Sequence, residues 1–144
     1  MPSARRIRTV SASLEAVWEI IEDPHHLPRW WPDVARVEGV QPDRWTLVFT
    51  TQKGRAVRVD FRLLESQPPR LRSWEQEITG TPFERVLNES IIEIALEPLD
   101  GGTQVTIEQQ QKLRGYSRTG GILLRRATAR KLDQALDGLR RICG

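Results

Sequence analysis

The stretch Thr103-Gln104-Val105-Thr106-Ile107-Glu108-Gln109-Gln110-Gln111-Lys112-Leu113, and the Thr128-Ala129-Arg130-Lys131-Leu132-Asp133-Gln134-Ala135-Leu136-Asp137-Gly138-Leu139 that follows it, carry a change of hydrophobic period. In the first, Val105, Ile107 and Leu113 share a phase of two with Gln109 and Gln111, as a strand requires. In the second, Thr128, Leu132, Ala135, Leu136, Leu139 and Cys143 fall on one stripe at helical spacing. Gly115, Gly120 and Gly121 punctuate the entry, so a strand over residues 103–114 is expected to give way to a long amphipathic helix over about 118–142.

Upstream of Thr103 the period of two persists back to Val34. It is broken where turn residues cluster: Gln41-Pro42-Asp43, Gln52-Lys53-Gly54, Gln67-Pro68-Pro69, Thr79-Gly80-Thr81-Pro82 and Asp100-Gly101-Gly102. The breaks delimit strands at about 34–40, 44–51, 55–66, 70–78 and 84–97. Residues 5–11 alternate as an opening strand, with Ile7 and Thr9 on one face and Arg6, Arg8 and Val10 on the other. Ser13 is placed to cap a helix carrying Leu14, Val17, Ile20 and Ile21, which Pro24 ends, and a second short helix is expected around His26 to Trp31. The fold class is α+β: a curved seven-stranded antiparallel sheet wrapped around a long C-terminal helix, with two short helices after the first strand. Residues 1–144 are expected to form a single domain, with a cavity between helix and sheet as the functional candidate.

Composition narrows the function classes. With 38% apolar and 28% charged residues the chain is globular, and no run approaches the roughly 20 apolar residues of a membrane helix. Arg5 and Arg6 are not followed by an apolar signal-peptide core, so a cytoplasmic location is expected. The one cysteine, Cys143, cannot form an intrachain disulfide or a cysteine zinc site. A net charge of +3 is small beside the clustered patches of nucleic-acid binders, and no nucleic-acid partner is expected. One local excess stands out in the last helix, where Arg118, Arg125, Arg126, Arg130, Lys131, Arg140 and Arg141 face only Asp133 and Asp137. It reads as a solvated helix face, or alternatively as a weak contact with a membrane surface.

Three segments resemble one known family. Ala12-Ser13-Leu14-Glu15-Ala16-Val17-Trp18 followed by Pro28-Arg29-Trp30-Trp31-Pro32 is similar to the opening of the START/Bet v 1-like (SRPBCC) superfamily, also called polyketide cyclase/dehydrase and lipid transport proteins. Gly101-Gly102-Thr103-Gln104-Val105-Thr106 resembles its late hairpin, and Leu123-Leu124-Arg125-Arg126 through Ala135-Leu136-Asp137-Gly138-Leu139 its closing helix. The resemblance spans nearly the whole chain. It implies a helix-grip cavity that binds a hydrophobic small molecule, and it does not select among the carriers, receptors and aromatase/cyclases of the superfamily.

Pointing the heavier apolar face of each strand inward places Trp45, Phe61, Trp74 and Ile92 there, and with them five polar residues: Gln76, Asn88, Ser90, Gln109 and Gln111. Buried amides without partners cost about 1–3 kcal/mol each, so such a cluster needs mutual bonds, water or a ligand. These nine residues are the expected ligand-binding set, for an amphipathic lipid, quinone or polyketide-like aromatic. The alternative is that strand ends and bulges shift the phase and turn the amides to water.

Glu75, Glu77, Glu89, Glu93 and Glu97, with Arg58, Asp60 and Arg62, belong to the opposite, solvated face. His25 and His26 are adjacent and diverge, so no metal site is expected, and a general-base role for either stays open at the cavity mouth. No phosphate-binding glycine loop or dinucleotide motif is present, and no cofactor is expected. Trp30-Trp31 either pins a short helix to the core or gates the ligand entrance. An enzyme of the cyclase/dehydratase type, with Gln76, Asn88, Gln109 or the single tyrosine Tyr116 polarising a carbonyl, and a module binding partners through the basic last helix remain the alternatives to a carrier or sensor. Either a monomer or a homodimer fits the pattern.

Overall fold

Alternation from Val34 to Leu113 becomes an antiparallel sheet in the computed structural model, which describes residues 3–115 and 118–144. The strands are β1 (Ser3–Val10), β2 (Val34–Glu38), β3 (Arg44–Thr50), β4 (Ala56–Gln67), β5 (Leu71–Gln76), β6 (Leu87–Leu99) and β7 (Gly102–Leu113). Their order is β1-β7-β6-β5-β4-β3-β2, so consecutive strands from β2 to β7 are neighbours and β1 closes onto β7. The helices are α1 (Leu14–Ile21), α2 (Leu27–Trp30) and α3 (Arg118–Cys143), with single 3₁₀ turns at Pro24–His26 and Pro82–Arg85. This is the helix-grip arrangement.

Local chemistry sets the boundaries. The Ser13 hydroxyl accepts the Ala16 N–H at 3.2 Å and starts α1, and the Asp23 carboxylate accepts the His25 N–H at 3.0 Å beside Pro24. The strand expected from residue 84 begins instead at Leu87. Thr81 explains the delay: its hydroxyl donates to the Ile78 carbonyl at 2.6 Å and accepts the Phe83 N–H at 3.2 Å, capping a turn that holds residues 82–85 out of the sheet. Register shifts at Val34/Arg36, Leu63/Glu65 and Leu87/Glu89 insert bulges, which bend strands and add the curvature that brings the sheet around α3.

The core lies between the sheet and the helices. Leu132, Ala135, Leu136 and Leu139 of α3 are fully buried against Val10, Ile94, Leu96, Val105 and Ile107, and Trp18, Trp30 and Trp31 join the same cluster. Both tryptophans of the Trp30-Trp31 pair are therefore core residues that pin α2. At the sheet edge, Arg6 reaches Asp133 at 3.3 Å, and Arg8 reaches Asp133 at 3.3 Å and Asp137 at 3.0 Å. These pairs are partly exposed and contribute a few tenths of a kcal/mol each, so they orient α3 more than they hold it. On the outer face, Arg62 pairs with Glu75, Arg58 with Glu38 at 2.5 Å and Lys112 with Glu89 at 3.4 Å, as a solvated face of cross-strand charges should.

Gly138 sets how closely α3 approaches α2. A Cβ there would lie 2.4 Å from the Trp30 carbonyl oxygen and 3.0 Å from its Cα, both backbone atoms. The Gly138→Ala variant is accordingly expected to lose about 1–3 kcal/mol in urea unfolding, because one helix must move off the other. An unchanged midpoint would show that the contact is loose.

Candidate functional site

The ladder of cross-strand partners defines the inner face. Trp45 faces Phe61, Phe61 faces Gln76, Leu63 faces Trp74, Trp74 faces Ile92, Ile92 faces Gln109, and Ser90 faces Gln111. Four expected apolar residues thus converge with four of the five expected polar ones. Trp45 stacks on Phe61 at 6.4 Å between ring centroids and meets Trp74 edge-on at 5.7 Å; Trp31 meets Trp74 at 6.3 Å. Such pairs add about 0.5–1.5 kcal/mol beyond area burial and make a rigid aromatic wall.

The polar residues are partly paired among themselves. Gln109 Nε2 donates to Ser90 Oγ at 3.1 Å, and the Thr128 hydroxyl of α3 donates to Gln111 Oε1 at 3.0 Å in a buried setting. Gln76 is half-buried and makes no side-chain hydrogen bond to another described residue. Asn88 departs from the expected phase. It is the extra residue of the Leu87/Glu89 bulge and is exposed, while Leu87 takes the buried position; Val86, in the same alternation as Asn88, is 57% exposed. A bulge flips side chains upstream of it by one position, and nothing in the alternation Val86, Asn88, Ser90 marks it.

One inward residue escaped the sequence pattern. Arg72 lies two residues before Trp74 on β5, opposite Ile94, and is only 6% exposed. Its guanidinium sits 5.7 Å above the Trp45 ring and makes a long 3.4 Å hydrogen bond to Ser66 Oγ. Burial pulls its pKa below the ordinary guanidinium range, and the charges of Glu22 and Asp23 oppose that shift. Arginine remains charged there, so the aromatic wall carries one fixed cation. Period two was the available signal; a charge in phase with a tryptophan is a candidate for burial.

Burial along the inner face is graded. Where the C-terminal half of α3 packs, Ile94, Leu96, Val105 and Ile107 are fully covered. Toward the other end, Phe49, Val57, Gln76, Gln109 and Leu113 point inward yet are only half-buried. Inner-face positions of β3 to β7 carry no carboxylate or imidazole among the described residues, so the site offers hydrogen bonds, aromatic surface and one cation.

A family model described as polyketide cyclase/dehydrase and lipid transport matches residues 1–144. The chain belongs to that family. No curated protein matches it in sequence. Solved structures of the same fold include a START superfamily protein from Mycobacterium smegmatis, with TM-score 0.79 and 12% identity over 98% of this chain and 96% of that one. The di-domain aromatase/cyclase BexL of the BE-7585A biosynthetic pathway superposes with TM-score 0.81 and 21% identity over 98% of this chain and 46% of that one. The di-domain StfQ of the steffimycin pathway gives 0.80 and 15% over 99% and 50%. The chain therefore spans about half of each di-domain protein.

In this member of the polyketide cyclase/dehydrase and lipid transport family, the remaining candidates lie apart from the inner ladder. The exposed His25 ring meets Asp23 Oδ1 at 2.8 Å, and His26 Nδ1 meets Arg29 Nη1 at 3.1 Å. Burial would raise the Asp23 pKa, but the His25 N–H and ring outweigh it and hold the carboxyl below its usual value. Cys143 is half-buried, which pushes its thiol up and away from reactivity. No group of three or more His, Cys, Asp or Glu capable of holding a metal occurs among the described residues. Tyr116 lies outside the described residues.

Thr128 locks α3 to the polar half of the site. The Thr128→Val variant leaves the Gln111 carbonyl buried without its donor and is expected to cost about 1–3 kcal/mol in chemical denaturation. A loss below a few tenths would mean that Gln111 turns to another partner.

Proposed function

We propose that this chain takes up an amphipathic small molecule between sheet and α3, as a carrier or sensor, with the apolar body against Trp45, Phe61, Trp74 and Ile92. Its oxygens would meet Gln76 and Gln109, with Ser90 and Gln111 holding the amide frame and Arg72 supplying a deeper cation. The observation that carries this reading is the graded inner face: inward side chains at one end stay half-accessible while those at the other end are fully covered. A packed interior leaves few voids larger than a water, so such accessibility marks space that a ligand can fill. Unspent hydrogen-bonding capacity on Gln76, beside an apolar wall, supports an amphipathic ligand over a purely hydrocarbon one. Family membership supports the same class of ligand.

A cyclase or dehydratase acting in this cavity is the second reading, and Arg72 favours it. A buried, permanently charged guanidinium can polarise a carbonyl oxygen without giving up its proton. The inner face lacks an imidazole or carboxylate partner among the described residues, which supports binding over turnover.

Titration with anilinonaphthalene sulfonate, followed by quenching of tryptophan fluorescence, tests the reading. Gln109→Leu is expected to weaken uptake about fivefold, the worth of one neutral hydrogen bond, while the exposed Asn88→Ala leaves it unchanged. Equal losses in both variants, or none in Gln109→Leu, would refute the assignment of the inner amides.

A further inference from the structure

The apolar stripe of α3 loses its cover before the helix does. Thr128, Ala129, Leu132 and Leu136 are buried, yet Arg125, on the same stripe one turn earlier, is exposed. Over these first turns Ile122 and Leu123 are 45% and 60% exposed, and Arg126 is exposed between them on the helix surface. The residue just before β6 adds a third uncovered apolar side chain, Val86, whose carbonyl accepts the N–H of Arg114 at 2.9 Å and so fixes the entry to β6 beside the end of β7. Thr128, bonded to Gln111, ties the helix to the same end.

Charge at this rim is predominantly positive. Arg114, Arg125 and Arg126 form no ion pair among the described residues, Glu89 is paired with Lys112 at 3.4 Å, and Glu84, whose carboxylate accepts the Gly80 N–H at 2.9 Å, is the one nearby acidic charge left without a cation among the described residues. Exposed aliphatic side chains interleaved with unpaired arginines are the composition that inserts into the headgroup boundary of an anionic bilayer, where the aliphatic groups bury and the cations meet lipid phosphate. A protein partner of acidic surface would satisfy the arginines but leave Ile122, Leu123 and Val86 without a stated apolar counterpart, so the lipid surface fits both halves of the patch.

We infer that this rim, formed by the first turns of α3 with Val86 and Arg114, docks the protein on an anionic lipid surface. The inference stands on exposure and charge alone; it adds to the proposed function that the half-open end of the inner face would then point at the bilayer. Docking through three exposed apolar groups and three cations is shallow and reversible, and screening by salt releases it.

Co-sedimentation of the full chain with phosphatidylcholine vesicles, with and without an equimolar share of phosphatidylglycerol, tests this directly. Binding to the mixed vesicles, weak binding to pure phosphatidylcholine and release at high salt are expected. The double variant Ile122→Ser/Leu123→Ser and the double variant Arg125→Glu/Arg126→Glu, each checked for unchanged helicity by circular dichroism, should each weaken binding about tenfold or more. Ile7→Ser, which removes an exposed apolar group from the outer face of β1, should not. Absence of binding to the mixed vesicles overturns the inference, as does binding that only Ile7→Ser reduces or that the rim variants leave intact. Uptake of anilinonaphthalene sulfonate in solution is read separately: if it fails while vesicle binding holds, the cavity reading falls and the docking surface stands.

Discussion

Everything in this fold depends on how α3 is seated. It is 26 residues long and is buried against the sheet from Thr128 onward, where Gly138 lets the helix reach the Trp30 backbone and Leu132, Leu136 and Leu139 complete a closed core. Removing these side chains from water supplies the dominant stabilising term, roughly 1.5–3 kcal/mol each. The earlier turns of α3 are less covered: Ile122, Leu123, Arg125 and Arg126 are exposed, so burial along the helix is graded as it is along the inner face of the sheet.

The distribution of polar groups follows the same axis. Ser90, Gln109, Gln111 and Thr128 lie toward the end where packing loosens, and they make two hydrogen bonds among themselves that leave amide capacity on Gln109 unspent. Arg72 sits deeper, against Trp45, where a cation is costly and survives through its stacking contact and the fields of Glu22 and Asp23. Indole N–H groups of Trp30 and Trp45 are buried without an acceptor among the described residues. Such polar groups work against stability; Arg72 and Trp45 meet on the aromatic wall, whereas Trp30 belongs to α2.

Much of this was legible in the residues. Period two from Val34 to Leu113, and the stripe from Thr128 to Cys143, placed every strand and the long helix to within a few residues. Ser13 marked α1, and the GG turn at residues 101–102 marked the hairpin between β6 and β7. What periodicity could not carry was a change of phase. Asn88 was assigned inward because the alternation runs smoothly through it, but the bulge at Leu87/Glu89 depends on pairing with Lys112 and Leu113 on another strand. The 3₁₀ turn at Pro82–Arg85 was hidden similarly behind a strand-like run. Arg72 was missed for the opposite reason: its phase was correct, but its charge argued for the surface, and the burial of a guanidinium over an indole is a tertiary fact.

The central claim is that the half-open inner face exists to hold an amphipathic molecule. Mass spectrometry of the purified chain, first under native and then under denaturing conditions, tests it most directly. The account predicts a mass increment on the folded protein that is released on denaturation, or an increment gained from a panel of lipids, quinones and aromatic polyketides. A folded protein that carries nothing and takes up nothing from that panel would contradict it, and would make the inner amides a self-satisfied part of the core.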